Sequence, residues 1–149
     1  MDRYIPVKTV FLEDVAEALD ETMDTWDQYL NRTTGEVLAV PDGTYTEPEE
    51  DVLQELEENW DQYVRLPNQY EIHEYSIMED FAQATPNPYK KGRLWQALQG
   101  KKPYRHFKDQ LNYLRLDEAY YAFRALAMIE IARTWCEDNE IPYRLRGTK

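Results

Sequence analysis

A chain of 149 residues fits one domain, and a domain of this size removes about 70% of its unfolded surface from water, so a core forms without disulfides or metal. The single cysteine, Cys136, excludes an internal disulfide, no stretch approaches the roughly eighteen apolar residues of a membrane helix, and Met1 to Pro6 lacks the apolar run of a signal peptide; a reducing, cytoplasmic setting without membrane contact is expected. The net charge of −12 is unevenly spread, with 18 Asp and Glu against 3 Lys and Arg in residues 1–61 and 11 against 14 in residues 62–149, which opposes non-specific binding to polyanions and favours basic surfaces.

Val7, Thr9 and Phe11 alternate as in a short strand, and Leu12, Val15, Ala16 and Leu19 then recur at helical spacing among carboxylates. Trp26 to Leu30 and Val37 to Val40, joined through Thr33-Thr34-Gly35, read as a β-hairpin whose Gly35 supplies a positive φ. Thr46 and Glu49 have capping-box spacing, and Pro48 suits a first helical position, so an acidic helix is expected from about Pro48 to Asn59. Its early carboxylates complement the positive end of the helix dipole. Trp60 to Leu66 then reads as a strand stopped by Pro67. The tetrapeptide Trp-Asp-Gln-Tyr begins at both Trp26 and Trp60, which predicts two strands of one sheet using the same pleated face.

From Asn68 the pattern is helical. Asn68 and Glu71 cap a segment from Tyr70 to Gln83, Asn87-Pro88 opens one to about Gln99 before Gly100, Pro103 opens another to about Leu114, and Asp117 starts a long one to about Asp138. The fold class expected is α+β in a single domain over residues 1–149: a small, mostly antiparallel sheet from the N-terminal half and a C-terminal bundle of about four helices.

Several short motifs recur in the order and spacing of a known family: Tyr63-Val64-Arg65-Leu66-Pro67, the run Tyr70 to Phe81, Gly100 to Asp109, and Tyr121-Ala122-Phe123-Arg124. In these the chain resembles the bacterial uncharacterised protein family one hundred and fifty-eight. The resemblance implies one bacterial α+β domain and supplies no substrate, cofactor or mechanism.

Two charges stand on apolar helix faces: Glu74 among Tyr70, Ile77, Met78 and Phe81, and Arg124 among Tyr121, Met128, Ile131, Ala132 and Trp135. Burying either unpaired costs several kcal/mol, so a structural ion pair of Glu74 with Arg124 is expected, with Asp80 or Asp109 as other partners for the charges. The same groups, with His73 and Asp80, are the catalytic candidates for acid/base or hydrolytic chemistry beside an anion clamp. No metal site or cofactor is expected: His73 and His106 lie on different predicted helices, and no phosphate-cradling glycine loop is present.

Lys90, Lys91, Arg93, Lys101, Lys102, Arg105 and Lys108, interleaved with Tyr89, Trp95, Tyr104 and Phe107, are candidates for binding nucleic acid or another polyanion. Balancing the acidic half within a monomer or homodimer accounts for the same lysines. The preferred reading is a non-enzymatic protein-binding or regulatory module that meets a protein partner through an acidic N-terminal face.

Overall fold

The computed structural model describes residues 5–146, so Met1 to Tyr4, read above for a signal peptide, lie outside the described residues. Contacts group the chain into two units, one holding the residues up to Ile72 and again from Met128, the other His73–Ala127. The fold is α+β.

The first unit begins with β1 (Val10–Phe11) and α1 (Leu12–Asp20). The strand expected from Val7 is confined to Val10 and Phe11, which pair in parallel with β5 (Tyr143–Arg144), an element too short to be legible beforehand. The stripe Leu12, Val15, Ala16, Ala18 and Leu19 of α1 is buried, each leucine contributing about 2 kcal/mol of transfer energy, while Asp14, Glu17 and Asp20 stay exposed. The hairpin is β2 (Trp26–Asn31) with β3 (Val37–Pro41). Its turn is held by the Asn31 side-chain oxygen, which accepts the N–H groups of Thr33 and Thr34 at 2.9 and 3.1 Å, and Gly35 adopts a φ of 81° that a side chain would strain. β4 (Tyr63–Arg65) pairs antiparallel with the other side of β2, giving the order β3-β2-β4.

Two expectations in this stretch are corrected. Thr46 makes no capping bond; Glu49 takes the N-cap position with extended backbone, and α2 runs from Glu50 to Glu58. The second Trp-Asp-Gln is a 3₁₀ turn rather than strand. Arg32 donates twice to the Asp61 carbonyl, at 3.1 and 2.7 Å, and Gln62 N–H bonds to Asn59 at 2.8 Å; these bonds hold the turn, so only Tyr63 of the repeat enters a strand.

Asn68 and Glu71 form the reciprocal box: Glu71 N–H donates to the Asn68 side chain at 2.8 Å and Asn68 N–H to the Glu71 carboxylate at 3.2 Å. Arg65, 2.8 Å away, holds the Glu71 carboxyl below its ordinary range, with the Asn68 N–H adding to this. A lowered folded pKa means that the stabilisation is complete above the unfolded carboxylate pKa and is lost as pH falls through the folded one. Both side chains are half exposed, so the ion pair contributes at most about 1 kcal/mol. Asn68→Ala is expected to cost about 1 kcal/mol of unfolding free energy in urea titrations at neutral pH, and less in acid.

The single helix expected from Tyr70 to Gln83 is broken. α3 (Gln69–Ile72) ends at His73, whose backbone is left-handed (φ 59°, ψ 62°), and α4 (Glu74–Ala84) starts after it. The break resets the helical phase, which is why Tyr70, expected on the apolar face, is 82% exposed.

The second unit contains α4, α5 (Pro88–Gln99), α6 (Pro103–Tyr113) and the first turns of α7 (Asp117–Asp138). Asn87 caps α5 by accepting the Lys90 N–H at 3.1 Å, and Leu116 N–H closes α6 onto Leu111 at 2.8 Å. Ile77, Met78, Phe81, Leu94, Leu98, Phe107, Leu111 and Tyr120 fill its core. Tyr120 is buried and Tyr121 half exposed, reversing the expected helix face, because Tyr120 meets Phe81 and Phe107 edge-on at 5.3 Å each. In the first unit the last turns of α7 bury Met128, Ala132, Trp135 and Cys136, and burial pushes the Cys136 thiol up to about 11, so it stays protonated.

Candidate functional site

Glu74 is the first residue of α4, and Arg124 stands on α7 within the same unit. Arg124 Nε donates to Glu74 Oε1 at 2.7 Å, and the Tyr120 hydroxyl donates to the same oxygen at 3.3 Å. Side-chain exposures of 21% for Arg124 and 26% for Glu74 make the pair half-buried. Burial, and then the Glu74 charge, raise the Tyr120 pKa, so its hydroxyl remains a donor throughout the neutral range. The arrangement gives the carboxylate two donors and the guanidinium a charge partner, which suits docking α7 onto α4.

The other catalytic candidates do not converge on that pair. His73 is exposed at the left-handed break, and Asp80 is exposed six residues beyond Glu74, about 9 Å along the helix and turned to another side. Asp109, offered as an alternative partner, is exposed on α6. A cleft of about 420 Å³ lies in the first unit instead, where Glu71, Glu130 and Asp138 surround Ile131 and Trp135. Among the described residues no group of three His, Cys, Asp or Glu side chains could hold a metal ion, and no helix is long and apolar enough to cross a membrane.

The seven basic candidates form no single focus. Lys90 lies in the first turn of α5, whereas Lys102 stands beyond the other end of that helix, at the start of α6. Arg93 is engaged, donating to Gln110 at 3.1 Å and covering the Tyr113 ring at 5.7 Å. Lys101, Lys102, Arg105 and Lys108 are exposed around the start of α6, beside a half-exposed Tyr104 that meets Tyr75 edge-on. Phe107 is fully buried and belongs to the core.

The acidic half holds a feature that composition does not reveal. No residue of α2 is buried. One bond from Tyr63 to Glu55, at 2.8 Å, ties the helix to the start of β4, leaving Glu50, Asp51, Glu57 and Glu58 in solvent. Leu53 is 48% exposed and Trp60, just beyond the helix, 73%. The sequence carried a faint signal of this: only Val52, Leu53 and Leu56 are apolar in nine residues, too few for a helix that lies deep in a core.

The chain matches the model of the Uncharacterised protein family (UPF0158) over residues 6–147. It belongs to that family. A UPF0158 protein of Pseudomonas aeruginosa is 30% identical over 134 residues, which cover 89% of this chain and 84% of that protein. No solved structure matches. UPF0158 membership thus agrees with the likeness read in the motifs from Tyr63 to Arg124, and it brings no substrate, cofactor or catalytic residue.

Proposed function

We propose that this UPF0158 chain is a non-enzymatic protein-binding module whose α2 segment receives a basic surface of a partner protein. The carrying observation is that α2 buries none of its nine residues, so that Leu53 and Trp60 stand in solvent among Glu50, Asp51, Glu57 and Glu58. An isolated nine-residue helix is marginal in water, and a helix kept at the surface with a tryptophan beside it gains most from burial against a partner. The carboxylates around these apolar side chains select a basic partner and speed its approach. Glu74 and Arg124 satisfy each other, which favours a structural role for them over acid/base chemistry.

A second reading, binding of nucleic acid or another polyanion, rests on the exposed Lys101, Lys102, Arg105 and Lys108 beside Tyr104. Affinity capture from the host at low salt separates the two. The α2 reading predicts one stoichiometric protein, lost with Glu50→Lys/Asp51→Lys/Glu57→Lys, weakened about tenfold or more by Trp60→Ala, and retained with Lys101→Glu/Lys102→Glu. Capture of nucleic acid that disappears with the lysine variant, and is indifferent to the α2 variant, would reverse the choice.

A further inference from the structure

The two edges of the sheet β3-β2-β4 are built differently. Arg32 N–H bonds to the Gln62 carbonyl at 2.8 Å and Leu66 N–H to the Gln28 carbonyl at 2.9 Å, so the even-numbered residues of β2 bond toward β4. Asn31 N–H bonds to Glu36 at 2.8 Å and Asp42 N–H to Thr25 at 2.9 Å, so the odd-numbered ones bond toward β3. Antiparallel alternation then fixes the rest: Glu36, Leu38, Val40 and Asp42 bond to β2, whereas the N–H groups of Val37 and Ala39 and the carbonyls of Val37, Ala39 and Pro41 point away from the sheet.

The outer edge of β4 is protected. It is three residues long, carries the charged Arg65, and its Arg65 carbonyl accepts the Trp135 indole N–H at 2.9 Å. β3 is longer, and its one blunting device is Pro41 at its last position, which withholds an outward N–H. Its five residues carry no charge, Val37 and Ala39 are exposed, and among the described residues no hydrogen bond occupies their outward groups.

We propose that β3 accepts an extended segment of a partner protein as an added strand, with apolar and basic residues alternating along that segment. This goes beyond the α2 reading and does not depend on it. Side-chain alternation sets the chemistry of the guest. Val37 shares a face with Leu30, and both line a pocket of about 190 Å³ with Val10 and Phe11 that can hold an apolar side chain; of its charged lining residues Asp14 and Arg146 pair with each other, and Lys8 disfavours a basic guest residue there. The opposite face carries Glu36 and Asp42 together with Asp27, the partner of Val40, and takes the basic residues of the guest. A second copy is the poorer occupant: the described residues of the first unit carry 22 acidic groups against 6 basic ones, so like charge opposes self-pairing.

The test is amide exchange read by NMR on the full chain, with an alternating Val-Lys hexapeptide as probe and its Val-Glu counterpart as control. Strand addition predicts that the Val-Lys peptide slows exchange at Val37 and Ala39 by about tenfold or more, while Leu38 and Val40, already bonded to β2, barely change. The Val-Glu peptide leaves all four unaltered. Ala39→Pro, which removes one outward donor and no β2 bond, reduces the protection at Val37; the wild-type pattern stands as a test by itself should that variant fold poorly. Absence of protection at Val37 and Ala39 at millimolar peptide overturns the proposal. So does protection that rises with protein concentration alone, which would assign the edge to a second copy. Shifts confined to α2 would also remove the added strand while leaving the α2 reading intact.

Discussion

Phe107→Ala is expected to lower the unfolding free energy by about 3–5 kcal/mol, the largest effect of any single truncation considered. Phe107 has no exposed surface, and its ring lies 5.3 Å from that of Tyr120, inclined at 69°. Tyr120 in turn meets Phe81 and donates to Glu74, so a cavity at Phe107 loosens the group that positions the carboxylate. Thermal unfolding followed by circular dichroism measures the loss. Tyr120 adds a dependence on pH. Its folded pKa is raised by burial above the ordinary value of 10.0, so its contribution is complete below pH 10.0 and declines as pH rises beyond it. Tyr120→Phe is therefore expected to flatten the alkaline loss of stability.

Glu74→Ala and Arg124→Ala are each expected to cost about 1–3 kcal/mol, less than a fully buried pair because both side chains keep about a quarter of their exposure. The bond of 2.7 Å and the shared Tyr120 donor argue for the upper part of that range. A double-mutant cycle in urea should return a coupling near 1 kcal/mol or above, and Glu74→Leu/Arg124→Met should recover part of the single-variant losses by replacing two charges with packed carbon. A coupling indistinguishable from zero would mean that the pair is a bystander to the docking of α7 on α4.

What the sequence makes legible here is what local physics decides. The hairpin follows from alternation around Gly35, α5 from the Asn87-Pro88 cap, and the Glu74–Arg124 contact from two opposite charges, each placed on an apolar face. What it conceals depends on distant groups or on backbone choices with no strong local marker. The repeated Trp-Asp-Gln-Tyr takes two conformations because Arg32, remote in sequence, grips the carbonyl of Asp61 in one copy. His73 carries no glycine to announce its left-handed break, and that break carries Tyr70 out of the core. The stretch from Tyr89 to Lys108 reads as one basic-aromatic segment, yet it folds into two helices that separate its charges. Neither the surface position of α2 nor the edge of β3 left open among the described residues could be read from periodicity, since both depend on what distant segments leave uncovered.

If α2 is the face that meets a partner, photo-crosslinking in the living host, with the reactive group placed at Leu53 in one strain and at Tyr104 in another, should show it. One discrete protein adduct is expected from Leu53, abolished by Glu50→Lys/Asp51→Lys/Glu57→Lys, and no matching adduct from Tyr104. Adducts to protein or RNA from Tyr104, with none from Leu53, would contradict it.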